Sequence, residues 1–184
     1  MKFLQTDKRF WLSTVALFGI LFMSNTAAAL DAAYSRKGPF GGVGFLGGGA
    51  VLAGEDENTG LGDLGLNLQV GLGATENFTV SLNLDNRLQM GTHVVQGLIV
   101  PGPRFSLFLT KNVYLSAGVG LAIALNAEPK NDNSVGMNAG AGVGVEHFVN
   151  TNVAAWIGLG ADYFLLTNAD DILSFTISLG IRYY

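Results

Sequence analysis

Apolar and polar residues alternate strictly over residues 64–74, where every even position is aliphatic and every odd one is glycine or an uncharged amide. This period of two is typical of a β-strand with two unlike faces. The polar face lacks the charged residues of a strand surface in water. The apolar face is long enough to cross a bilayer, because a tilted membrane strand needs about 9–11 residues. The segment therefore predicts a membrane strand.

The same alternation recurs along the chain and predicts eight strands. They cover residues 40–52, 64–74, 78–90, 94–109, 113–125, 135–147, 153–163 and 172–184. Three connections are tight Thr/Asn turns, at 75–78, 110–113 and 151–153, and such residues suit tight turns. The other four, 53–63, 91–93, 126–134 and 165–171, are mostly longer and acidic. Short turns are expected on the periplasmic side and longer loops outside.

Composition and the first residues fit an exported membrane protein. Charged residues make up only 13% of the chain, there are 26 glycines, and cysteine is absent. Residues 1–29 read as a signal peptide, because Lys2, Lys8 and Arg9 precede the apolar run 10–23 and Ala27-Ala28-Ala29 offers a cleavage site. We expect a short periplasmic segment over 30–38 and the barrel over 39–184. After cleavage, seven basic and thirteen acidic residues remain, which argues against nucleic acid as a partner.

The predicted fold class is all-β, an eight-stranded antiparallel up-and-down transmembrane β-barrel preceded by a cleavable signal peptide. Aromatic residues cluster near the predicted periplasmic strand ends and predict an interfacial girdle there; they are Phe40, Phe78, Phe108, Tyr114, Phe148, Tyr183 and Tyr184. Tyr163, Phe164 and Phe175 predict a thinner girdle on the outer side. A soluble lipocalin-like barrel is the alternative, and the scarcity of Lys and Glu on the polar faces argues against it.

Over residues 38–184 the chain resembles the small eight-stranded outer-membrane barrels of the OmpA/OmpX type. The resemblance rests on the strand pattern, the leader and the terminal Gly180-Ile181-Arg182-Tyr183-Tyr184. It implies a Gram-negative outer-membrane location, with outer-membrane lipids and lipopolysaccharide as surroundings. It also implies recognition of the last strand by the barrel-assembly machinery, for which Arg182 stands where an aromatic residue is usual.

Six charged residues face inward by strand parity, namely Asp85, Arg87, Arg104, Glu146, Asp162 and Arg182. Side chains fill the interior of an eight-stranded barrel, and charges there need partners. We expect ion pairs at two levels, with Arg104, Glu146 and Arg182 towards the periplasm and the other three in the outer half. Pro101 and Pro103 cannot donate to a ladder, so strand four is expected to carry a bulge or an irregular start.

No motif for catalysis, a cofactor or a metal emerges, and we expect no enzyme activity and no cofactor. His93 and His147 have no obvious serine partner, and Glu55-Asp56-Glu57 with Asp63 lacks the spacing of a calcium loop. The expected role is structural or surface-interacting, with a possible host or envelope partner at the outer loops. The alternatives left open are a narrow channel for ions or small molecules and, behind it, a lipid-modifying enzyme.

Overall fold

The computed structural model describes residues 34–53, 58–92, 94–127 and 132–184, without the side chains of Asn58 and Thr59. The predicted signal peptide lies outside these residues. Eight strands follow one another: β1 Gly38–Ala53, β2 Asn58–Thr75, β3 Phe78–Met90, β4 Val95–Phe108, β5 Val113–Ala127, β6 Asp132–Phe148, β7 Val153–Leu166 and β8 Asp171–Tyr183.

The strands form one closed antiparallel barrel in chain order. Each strand pairs with the next, and β1 pairs with β8 from Gly41↔Tyr183 to Ala53↔Asp171, which closes the cylinder. Closure leaves no free sheet edge, the condition for strands to lie in lipid. The predicted fold class is therefore confirmed for the barrel. No helix in the described ranges is long and apolar enough to span a membrane.

The two faces of each strand separate as the alternation predicts. In β2, Leu64 and Val70 point outward with exposures of 55% and 63%, whereas Asn67 and Gln69 between them are 2% and 4% exposed. Leucine, valine and isoleucine dominate the outward positions of the other strands as well. The apolar side of the sheet is thus the outside of the barrel, and polar side chains fill the inside.

Five strands, β1, β2, β5, β6 and β7, run further than the sequence pattern indicated, and the three far-end connections next to them are correspondingly shorter. The terminal end, as we call it, carries the start of β1, the end of β8 and the three Thr/Asn turns. At the opposite, far end, the strand bounds leave connections of only four residues each. The expected lengths of the connections 53–63, 126–134 and 165–171 were wrong, because strand pairing continues to Ala53↔Asn58 and Ala127↔Asp132 and β7 extends to Leu166. The extension of β2 brings Asp63 into that strand.

The two prolines of β4 interrupt its pairing with β5 without inserting a residue. Pairing stops after Ile99↔Ile123, resumes at Arg104↔Gly118 in the same register, and is continuous on the β3 side through both prolines. An irregularity at the prolines was expected and is present, but it lies in the middle of β4 and is neither a bulge nor an irregular start. Proline has no N–H to donate, so the ladder loses hydrogen bonds across residues 100–103 while the strands stay aligned.

Most of the aromatic residues predicted to form the girdle at the terminal end point into the barrel instead. Phe40, Phe108, Tyr114 and Phe148 are all between 3% and 6% exposed, whereas Tyr183 is 62% exposed and faces outward. At the other end, Tyr163 and Phe175 face outward as expected, but Phe164 is fully buried. Aromatic rings therefore close the barrel more than they anchor it in the interface.

Candidate functional site in the barrel interior

Arg87 holds together a cluster of carboxylates in the middle of the barrel. Its Nη2 lies 2.6 Å from Oδ2 of Asp162 and 3.0 Å from Oδ2 of Asp85, and its Nη1 lies 3.6 Å from Oδ2 of Asp63. All four side chains are at most 5% exposed. We call these residues, with Arg104, the central cluster. Three strands converge on one guanidinium, since Asp63, Asp85 and Asp162 lie in β2, β3 and β7.

Arg104 belongs to this central cluster, not to the level near the chain termini where the sequence reasoning placed it. Its Nη2 is 3.9 Å from both Asp85 and Asp162, and its side chain keeps 30% exposure, far more than that of Arg87. These separations exceed hydrogen-bond length. Arg104 is therefore the loosely held cation of the cluster.

Glu146 organises a second group, the terminal cluster, at the end of the barrel that carries the chain termini. The fully buried carboxylate of Glu146 lies 2.5 Å from Nη1 of Arg182 and 2.7 Å from Nε of Arg36. The hydroxyl of Tyr184 donates to the same carboxylate at 3.0 Å, and Nε of Arg182 donates to Gln69 Oε1 at 3.0 Å. One acid on β6 thus binds both the segment before β1 and the residue after β8.

Arg36 seals this end and was missed by the sequence analysis, as was Asp63. Residue 36 is 2% exposed, and its guanidinium stacks 3.8 Å from the ring centroid of Phe108 while donating to the carbonyl oxygen of Lys111. Both missed residues continue the inward parity of β1 and β2, so longer predicted strands would have found them. Segment 34–37 therefore lies across the mouth of the barrel as a plug.

Glu76, in the turn between β2 and β3, fastens this plug from outside. Its Oε2 accepts a hydrogen bond from the backbone N–H of Arg36 at 3.0 Å, and its Oε1 accepts one from the Ser35 hydroxyl at 2.7 Å. The bond from the Arg36 backbone is the main cause that lowers the pKa of Glu76 from its ordinary value. The charged form of Glu76 is thus the one that holds the plug.

The far end of the interior is filled by an apolar cluster that the sequence analysis did not predict. Leu98, Phe164 and Ile172 are its largest members and are at most 1% exposed. Phe164 also lies under Arg87, whose guanidinium carbon is 5.3 Å from the ring centroid. The interior therefore has three layers along its axis: the apolar cluster, the central cluster and the terminal cluster.

The fold resembles solved structures, although no family model and no curated protein sequence matches. Neisserial surface protein A is 15% identical, with a TM-score of 0.60, over 80% of this chain and 97% of that one. The attachment invasion locus protein of Yersinia pestis is 13% identical, with a TM-score of 0.53, over 80% of this chain and 99% of that one. This chain is an eight-stranded barrel of the outer-membrane type. Such low identity establishes the fold alone.

The interior of this outer-membrane-type barrel is charge-balanced within the described residues. The ion pairs join four guanidinium groups to four carboxylates, so no sign of charge is in excess overall. Each carboxylate has at least one guanidinium within 4 Å. Because an unpaired charge in such a place is strongly unfavourable, the pairs constrain one another's positions.

The catalytic and metal alternatives gain no support from the part of the barrel that the structure describes. No group of three or more His, Cys, Asp or Glu residues there could hold a metal ion. Asp63, a candidate ligand of the acidic loop, instead points inward and accepts a 2.6 Å hydrogen bond from Ser174. His147 pairs with Ala155 at the end of β6. His93 and the acidic run 55–57 lie outside the described residues.

Proposed function

We propose that the protein is a non-conducting barrel of a Gram-negative outer membrane, with a structural role and with any surface interaction confined to its far end. The observation that carries the proposal is the filling of the interior in three layers. An ion entering from the terminal end meets Arg36, Glu146 and Arg182, which are nearly fully buried. An ion entering from the far end meets the tightly packed apolar side chains of Phe164 and Ile172. The buried amides of Gln89 and Gln96 at this end are hydrogen-bonded to each other at 2.7 Å.

The outward surface supports the membrane location. Aliphatic side chains with exposures of about one third to two thirds cover every strand, for example Leu72 at 60%, Leu121 at 55% and Ile177 at 50%. Such a surface is unstable in water and suited to lipid. Outer-membrane lipids and lipopolysaccharide are the proposed surroundings. The terminal end faces the periplasm in this proposal, because the N-terminal segment and the last strand both end there.

The far end limits what the protein does at the cell surface. The strand bounds leave connections of only four residues each, which limits the area that they can offer to a partner. A scaffold role in the envelope is therefore favoured over a dedicated adhesin, and any host or envelope partner contacts the strand ends and connections together. Recognition by the barrel-assembly machinery is proposed to use the outward Tyr183 of β8, because Tyr184 turns inward to Glu146.

Planar-bilayer recording of the purified, folded protein tests the closed interior. We expect no steady conductance from the wild type. The double variant Arg36→Ala/Arg182→Ala opens the terminal layer only, so it also stays silent because the other two layers remain. Folding of both samples is checked by heat-modifiable migration on a gel. Steady single-channel conductance of the wild type supports the second candidate, a narrow ion channel, and overturns the proposal.

A further inference from the structure

The side chain of Asn86 interrupts the apolar outer surface of the barrel far from the strand ends. It is exposed in β3, and the exposed positions on either side of it along the strand are Leu84 and Leu88. Asn86 is four residues from Met90 and eight from Phe78, the two ends of β3. The other polar side chains described on the outside of the strands, tyrosines apart, lie at most one residue from a strand end; they are Thr75, Asn126, Asp132, Asn133, His147 and Asp171.

This position lies within the hydrocarbon layer of a bilayer. A strand rises about 3.3 Å per residue and tilts by roughly 35–45° in a barrel, so each residue adds about 2.5 Å of height. Asn86 is then about 10 Å from the far end of β3 and about 20 Å from its other end, inside an apolar band about 25 Å tall. Lysine and arginine reach the headgroups from such depths because their side chains are long, whereas asparagine is short. Lipid headgroups therefore do not pair with this amide.

The wall around Asn86 supplies no partner either. Its cross-strand neighbours on the same face are Leu66 of β2 and Ile99 of β4. Together with Leu84 and Leu88, they surround the amide with side chains that neither donate nor accept a hydrogen bond. The backbone of β3 is already paired with β2 and β4 along this stretch. Two N–H donors and a carbonyl acceptor are thus turned towards hydrocarbon, which is strongly unfavourable without a hydrogen-bond partner.

We propose that Asn86 joins two copies of this chain within the membrane. All copies insert in the same direction, so the axis of a two-fold dimer runs along the membrane normal and keeps each residue at its own depth. Asn86 therefore meets Asn86 of the second copy at the same height. An amide is complementary to itself, because an N–H group of each copy donates to the carbonyl oxygen of the other. Such hydrogen bonds between polar side chains hold membrane segments together.

The symmetry of the membrane selects a second copy as the occupant of this surface. A lipid chain offers the amide no hydrogen bond, and a different face of the same barrel offers no side-chain amide so far from both strand ends among the described residues. The exposed Leu66 and Leu88 beside Asn86 pack across the same contact. The inference rests on the membrane location in the proposed function and not on the closed interior.

Energy transfer between labelled copies in lipid vesicles tests this pairing. The chain has no cysteine, so Asn77→Cys in the exposed turn between β2 and β3 provides a single labelling site. Donor-labelled and acceptor-labelled chains are mixed and folded into preformed vesicles, which all copies enter from outside. We expect transfer above the level of random encounters that rises linearly with the acceptor fraction, as a dimer requires. Asn86→Leu should weaken the association by about tenfold or more.

A matched variant and two checks on the same samples make each outcome decisive. Asn133→Leu makes the same substitution near the start of β6 and should leave transfer unchanged. Asn86→Leu removes an unpaired polar group from lipid, so it should fold as well as the wild type by heat-modifiable migration. Transfer at the random level in the wild type, or undiminished transfer in Asn86→Leu, overturns the proposal. Vesicle flotation separates this result from a failure of the membrane location, because a chain that floats without pairing contradicts only the dimer.

Discussion

Replacing Glu146 with glutamine tests whether this one carboxylate holds the terminal end of the barrel closed. The substitution keeps the size of the side chain and one carbonyl acceptor but removes the charge. It leaves the guanidinium groups of Arg36 and Arg182, both at most 6% exposed, without an anion within ion-pair distance. Removing one partner of a buried pair costs about 3–5 kcal/mol, because the remaining charge is uncompensated.

This cost translates into a large shift of the unfolding transition. With a urea slope of about 2 kcal/mol per molar, the midpoint falls by roughly 1.5–2.5 M. Equilibrium unfolding in detergent or lipid vesicles, followed by tryptophan fluorescence and by gel mobility, measures the shift. Glu76→Gln is the matched control: it removes a carboxylate that binds the same plug from the exposed side, and should cost about 1 kcal/mol or less.

A second substitution separates the charge effect from simple loss of packing. Arg182→Met removes one of the two cations that Glu146→Gln leaves unpaired, and methionine retains much of the aliphatic volume. The double variant should therefore be less destabilised than the sum of the two single variants. If Glu146→Gln costs no more than Glu76→Gln, or if the two single effects simply add, the carboxylate does not organise the terminal cluster and the reasoning fails.

Three further outcomes follow from other parts of the barrel. The backbone amides of Val119 and Leu121, which face Pro103 and Pro101, should exchange hydrogen faster than those of Leu115 and Ala117, and Pro103→Val should slow exchange at Val119; equal rates in the wild type contradict a break in the ladder. Phe164→Ala should lower the free energy of unfolding by about 3–5 kcal/mol, whereas Phe175→Ala on the outward face of β8 should cost much less; similar losses contradict a packed apolar layer. The pKa of Glu76 is lowered in the folded protein, so the stabilisation that its carboxylate gives to the plug is complete above the ordinary pKa near 4.5 and is lost as pH falls through the lower folded value. Protease cleavage near Arg36 should therefore rise in that acid range in the wild type. In Glu76→Gln, cleavage should be independent of pH over the same range.

Strand parity predicted much of this barrel because its period is fixed by backbone geometry. Each of the six interior charges expected from the sequence lies within ion-pair distance of a partner. The same parity placed Phe108 and Tyr114 inside, since their neighbours Leu107 and Leu115 point outward. The girdle prediction relied on the closeness of these two residues to strand ends instead of on parity, and it was wrong for both of them. Facing direction, not closeness to a turn, decides where a ring lies in a small barrel.

The height of a residue along the barrel could not be read from the sequence. Strands tilt and are staggered against one another, so equal distances from a turn on two strands do not correspond to equal heights. Arg104 lies four residues from the end of β4, yet it pairs with carboxylates of the central cluster. Contacts across the lumen depend on the stagger of the whole cylinder, which a strand-by-strand pattern does not contain.

The two ends of this barrel are closed by different physical means, and the difference bears on how it assembles. The far end is closed largely by apolar packing whose members, apart from Val94, lie within the barrel strands. The terminal end needs residue 36 from before β1 and Tyr184 from after β8, both bound to Glu146 of β6. These contacts are complete only once the first and last strands lie side by side. The terminal cluster therefore stabilises the closed β1–β8 seam specifically, and its loss should accelerate unfolding at that seam before it disturbs the central cluster.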